Sequence, residues 1–288
     1  MKVAICISGF VRTWKHTRRS FEEQLIKGVD YDLFLHIYRQ NLHEFTAEEQ
    51  DVVMTDKEIE ELFSGLNVKS LIVEDRDELL PEITRQAEKY KHISNYHLPQ
   101  KESSDTNSKE IPIGVRTYDH LRKIHACNES RKKYEKENNM KYDLVVKTRF
   151  DLVYFNSPTW EICKDGRVHF GFGATFGWPD DTFCICTPDV MDRAYANRVT
   201  LFDEMFLSGP ETIGICAHST LKYILEKEHI EIGERVVNMN CFRSKNSLQY
   251  YQDYRRKCDI VWMYEMITKQ NLQNVYQIED YKRALLGP

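Results

Sequence analysis

Arg149 and Asp151 stand at the close of an apolar run in YDLVVKTRFDLVYF, residues 142–155, where a buried strand should deliver its last core side chain. Leu144, Val145 and Val146 read as that strand, so both charges emerge at its carboxyl end. A carboxylate placed there can ligate Mg2+ or Mn2+, hard cations that take one or two protein carboxylates beside substrate phosphates. Arg149, always charged, suits a phosphate or a neighbouring acid. The plain alternative is an internal Arg–Asp ion pair that closes the strand.

Three more stretches carry chemistry. SGFVRTW, Ser8 to Trp14, is a small-residue turn between a first strand and a first helix. Gly9 permits close backbone approach, the helix N-terminus offers N–H groups to an anion, and Arg12 can add a bidentate phosphate contact. A tight turn with a surface Arg fits the same residues, and no GxxxxGK[ST] phosphate loop is present. FGWPDDTFCICTP sets Trp178 and the adjacent carboxylates Asp180 and Asp181 in a loop entering a strand. An acid there can take the proton of a hydroxyl acceptor and an aromatic floor suits a sugar ring, although a turn capped by Asp explains the pattern equally. In SGPETIGICAHSTLKYILE, Pro210 and Glu211 open a predicted helix, which explains Glu211 as a helix-start residue, and His218 follows on the same helix.

The elements that must position these groups alternate strand and helix. VAICIS (3–8) is a continuous apolar strand, followed by an amphipathic helix from about Thr13 to Ile26. YDLFLHIY (31–38) and VKSLIVED (68–75) are further strands, separated by a helix that Thr55 or Asp56 caps. Such alternation predicts an α/β, Rossmann-like fold: a mainly parallel sheet with helices on both faces. From 88 to 112 polar and turn-forming residues predict a mobile surface loop. The long helix after it presents Arg122, Lys123, Arg131, Lys132 and Lys133 as a solvated basic face. Strands in GRVHFGF and TFCICTP, helices near 190–198 and 211–227, and a helical C-terminal region from about 245 complete a single domain over 1–288.

Bulk properties narrow the class. With 288 residues and 41% hydrophobic content the chain can fill a sizeable core. A formal charge of −5 argues against nucleic acid or an anionic membrane as the main partner. The N-terminus lacks a secretory signal and no stretch approaches the roughly 18 apolar residues of a membrane span, so a cytoplasmic location is expected. Eight cysteines without CxxC or Cys/His ligand spacing fit reduced, buried thiols. Cys184 and Cys186 share a strand face but lack a second ligand pair for zinc.

Taken in order, KVAICISGFVRTW, YDLFLHIY, YEKENNMKYDLVVKTRFDLVY, DDTFCICTPDVMD and PETIGICAHSTLKYILEKEHIEI resemble the small GT-A-type nucleotide-sugar glycosyltransferases of bacterial polysaccharide loci and large DNA viruses. The resemblance covers most of residues 2–235. It implies that TRFD occupies the position of the metal-binding DxD motif, with Asp151 meeting a divalent ion, Mn2+ or Mg2+, and the donor diphosphate, and with Arg149 in the place of the first acid. Ser8, Gly9 and Arg12 would hold the nucleotide and diphosphate. The GWPDD loop would supply acceptor contacts through Trp178 and a general base, Asp181 before Asp180, with Glu211 a further acceptor contact. The implied reaction moves a sugar from a nucleotide diphosphate donor, UDP-linked by preference, to a glycan or other hydroxyl. Rival classes are a nucleotide-dependent sulfo- or phosphotransferase and a non-catalytic glycan- or nucleotide-binding protein.

Overall fold

The structure is a computed structural model, and it describes residues 1–41, 52–101, 110–171, 179, 181–208 and 214–241. Trp178, Asp180, Glu211 and the C-terminal region expected to be helical lie outside the described residues.

Apolar runs become strands wherever the sheet can cover both of their faces. β1 (Lys2–Gly9), β2 (Asp30–Tyr38) and β3 (Val68–Glu74) pair in parallel, joined by α1 (Trp14–Ser20) and α2 (Asp56–Phe63). Val3, Ile5 and Ile7 of β1 enter one core cluster while Ala4 and Cys6 enter the other, as the period of two requires. α2 starts on a capping box: the Thr55 side chain accepts from the Glu58 N–H, and the Glu58 carboxylate accepts from the Thr55 N–H at 2.8 Å. α1 is shorter than its periodicity predicts, because the chain widens into a π turn over Phe21–Ile26.

After α3 (Arg76–Ala87) and α4 (Ile113–Glu137), β4 (Leu144–Thr148) pairs in parallel with β1 on the side away from β2. The short strand β5 (Leu152–Tyr154) leaves the sheet. β6 (Val168–Phe170), β7 (Cys184–Cys186), α5 (Ala217–Lys227), β8 (Ile232–Arg235) and β9 (Met239–Cys241) follow, and β9 pairs with β5. The seven-stranded sheet runs β8-β6-β7-β4-β1-β2-β3. β7 is antiparallel to both of its neighbours and the other pairings are parallel. The fold is therefore α/β with a mixed, mostly parallel sheet, as the alternation of elements predicts.

Three local expectations are corrected. The basic face of α4 is not all solvated: Lys123 and Arg131 are buried, Lys123 against Asp119 at 2.8 Å and Arg131 against Glu135 at 2.9 Å. Burial of these cations is tolerated because each is paired. The stretch after α3 is not a bare surface loop either. Tyr90 and Tyr96 are buried, the Tyr90 hydroxyl donates to Asp203 at 2.7 Å, and Asn95 bonds both the carbonyl and the N–H of Ile215. Strands 99–101 and 110–112 then pair as a hairpin, and the residues between them lie outside the described set. Finally, α5 begins at Ala217 with Cys216 as its N-cap, so the helix starts well beyond Glu211. Cys6, Cys127, Cys163, Cys184 and Cys186 are free and buried. Among the described residues no helix is long and apolar enough to cross a membrane.

Candidate functional site

β1 continues to β2 on one side and lies beside β4 on the other, so strand order reverses between the carboxyl ends of β1 and β4. Open α/β sheets bind ligands in the crevice at such a reversal. The two chain segments that leave it are Ser8–Trp14 and Thr148–Asp151. Gly9 takes φ +125°, and Arg12 takes φ +46°, a left-handed conformation that a side chain adopts at a cost. Phe150 turns inward against Trp14 (ring centroids 5.5 Å apart) and Phe63, and its carbonyl accepts from the Thr17 hydroxyl. With Phe150 pinned in the core, its neighbours Arg149 and Asp151 are held together at the rim.

Their pairing is bidentate. Arg149 donates from Nε to Asp151 Oδ1 at 2.8 Å and from a terminal nitrogen to Oδ2 at 2.7 Å, while Arg12 donates to the same Oδ2 at 3.5 Å. The Asp151 side chain is 2% exposed, and those of Arg12 and Arg149 are 12% and 19% exposed. One buried carboxylate thus holds two partly exposed guanidiniums together at the ends of β1 and β4. The hydroxyl of Ser8, 5% exposed at the end of β1, has no hydrogen-bond partner among the described residues. A buried unsatisfied hydroxyl at the carboxyl end of a strand suits an incoming oxygen ligand. Arg12, Arg149 and Asp151 are thus brought together, while Ser8 and Gly9 stand at the end of β1, on the segment that leads to Arg12.

This donor set does not fit a divalent metal. Both oxygens of Asp151 already accept from guanidiniums. A cation at Asp151 would sit against two fixed positive charges. In this structure Arg149 and Asp151 of TRFD form an ion pair.

The second cluster lies beneath the same rim. Because β7 runs against β4, its entry residue Asp181 arrives where β1 and β4 end. Asp181 Oδ1 accepts from Arg198 at 2.6 Å, Oδ2 meets His120 Nε2 of α4 at 3.0 Å, and the Lys147 ammonium of β4 donates to the Asp181 and Thr182 carbonyls. Burial alone would raise the Asp181 pKa, but Arg198, His120 and Lys147 outweigh it and hold the carboxyl well below its usual range. Burial pushes His120 down to about 4 against the opposing pull of Asp181, and the charges of Lys147 and Arg149 add to the fall. Lys147 is pushed down to about 8, again first by burial. Arg149 thus reaches electrostatically from the first cluster into the second.

Sequence reasoning missed His120, Lys147 and Arg198. Lys147 alone left a signal, a cation directly following three core residues of a buried strand. His218, singled out on its helix, instead bonds the Pro179 carbonyl through Nδ1 at 2.8 Å, beside the Asp181 loop.

No family model matches this chain and no curated protein matches its sequence. Among solved structures, the chain is similar to the crystal structure of mouse xyloside xylosyltransferase 1 in its apo form, at 8% identity and a TM-score of 0.37, over 81% of this chain and 85% of that one.

Proposed function

We propose that this chain is a glycosyltransferase that uses a nucleotide diphosphate sugar, UDP-linked by preference, and passes the sugar to a hydroxyl of a glycan or similar acceptor. The observation that carries the reading is the pairing, at the strand-order reversal, of two guanidiniums joined by Asp151 with a buried carboxylate–imidazole pair. Glycosyl transfer needs both. The bond from the anomeric carbon to the diphosphate breaks as the carbon becomes oxocarbenium-like, and the departing charge must be received. Arg12 and Arg149 receive it, Ser8 adds a hydroxyl donor, and Gly9 lets the backbone come close. Asp151 orients the two guanidiniums. On the acceptor side the reading assigns Trp178 as a floor for a sugar ring, with Asp180 and Glu211 as hydroxyl contacts and Asp181 in the proton-handling pair. The order of motifs in the sequence supports the same assignment.

A thermal-shift screen of UDP-, GDP-, CMP- and dTDP-sugars, with and without Mn2+, tests it. The expected result is stabilisation by one nucleotide class, undiminished by chelator and lost in Arg12→Ala/Arg149→Ala. A shift with adenosine phosphosulfate and none with any sugar nucleotide refutes the reading in favour of a sulfotransferase. Binding without release of nucleoside diphosphate refutes turnover.

A further inference from the structure

The His120–Asp181 pair has an orientation that the assignment above leaves unused. An ionised carboxylate can only accept, so the proton between Asp181 Oδ2 and His120, 3.0 Å apart, resides on Nε2. In the neutral imidazole the lone pair then lies on Nδ1. Nδ1 has no hydrogen-bond partner among the described residues, and the His120 side chain is 25% exposed. Asp181 is the poorer proton acceptor of the two, with both oxygens engaged by Arg198 and His120. The charged groups facing His120 are Asp181, Lys147 and Arg149, and the two cations disfavour the imidazolium.

We propose that His120, oriented by Asp181, takes the proton of the incoming hydroxyl, and that a diphosphate seated on Arg12 and Arg149 switches it on. The inference rests on the glycosyltransferase reading and deepens it. An anion on Arg149 cancels part of the positive field that keeps the imidazole from accepting a proton, so the base becomes stronger only when the donor is in place. In the step itself, the hydroxyl proton passes to Nδ1 as the hydroxyl oxygen bonds the anomeric carbon. The carbon–oxygen bond to the diphosphate breaks, and its electron pair leaves on the diphosphate. The new imidazolium is stabilised by Asp181, which acts as a positioning residue.

The test uses the full chain, labelled with 15N, with the His120 ring signals assigned by their loss in His120→Gln. At pH 7 the expected state is the neutral Nε2–H tautomer, and adding inorganic pyrophosphate or UDP raises the midpoint of its titration by about one pH unit. An Nδ1–H tautomer, an imidazolium at pH 7, or a midpoint unmoved by bound pyrophosphate overturns the proposal. In parallel, UDP release from UDP-glucose and UDP-xylose is followed with water as acceptor. His120→Gln is expected to lower kcat about 10²- to 10⁴-fold with KM for the donor unchanged, and to abolish the acid limb of the kcat profile. Full activity in His120→Gln overturns the base while leaving the donor reading intact. Failure of both pyrophosphate and UDP to bind wild type overturns the donor reading, and the switch with it.

Discussion

Asp151→Ala separates a strut from a metal ligand. The wild-type carboxylate, 2% exposed, accepts two bonds from Arg149 at 2.8 and 2.7 Å and one from Arg12 at 3.5 Å. Its removal leaves two largely buried guanidiniums without the anion between them, and breaking a buried ion pair in this way costs about 3–5 kcal/mol. At about 2–4 °C per kcal/mol the melting temperature falls by about 6–20 °C. Pyrophosphate supplies a replacement anion, and at a hundredfold excess over its Kd it restores about 2.7 kcal/mol. Thermal melts of wild type, Asp151→Ala and the shape-preserving Asp151→Asn, each with and without pyrophosphate and with Mn2+ or chelator, measure all of this. A metal-ligand role predicts a different pattern: little loss in chelator and a large loss of the Mn2+-dependent shift. An Asp151→Ala melt within about 1 °C of wild type in chelator would refute the strut.

Arg12→Gly removes the left-handed penalty at φ +46°, worth about 1 kcal/mol, together with the weak 3.5 Å bond. Its stability therefore stays close to wild type, while isothermal titration shows pyrophosphate binding weaker by about 10- to 100-fold, the worth of a charge-assisted bond. The imidazole of His120 titrates at about 4 in the folded chain against an ordinary 6.5, so the unfolded chain takes up the proton first. Urea melts are expected to lose stability as pH falls through that window, and His120→Gln to flatten the slope. Gly233→Ala would drive a Cβ into the buried His169 ring, which Asp165 and the Glu234 N–H hold in place, and should cost about 1–3 kcal/mol in the same melts without touching pyrophosphate affinity.

Where a segment's environment is set by its own neighbours, the sequence was legible. β1, β2 and β3 stand within a residue of their apolar runs, and Thr55 caps α2 because the capping box is local. The pairing of Arg149 with Asp151 was one of two readings open from spacing alone. The third member, Arg12, could not be read as a partner, since it lies 139 residues away and meets Asp151 only once β1 and β4 are side by side. The same limit hid Arg198 and His120, whose shared partner Asp181 reaches them across α4 and the β7 entry. Helical spacing marked Lys123 and Arg131 as solvated because periodicity records which residues share a face. It does not record that the face is met by the Tyr38 ring of β2 and by Asp192, both remote in sequence.

The reversed strand β7 has a further consequence for how such a chain can diversify. Parallel neighbours bring only their exit loops to the rim, and those loops here carry the guanidiniums and their strut. β7 brings its entry, so Asp181 reaches the rim on a stretch of chain separate from the exit turns of β1 and β4. Under the proposed function, swapping that segment between homologous chains is a route to new acceptor preference, provided that Asp181 keeps its place next to His120.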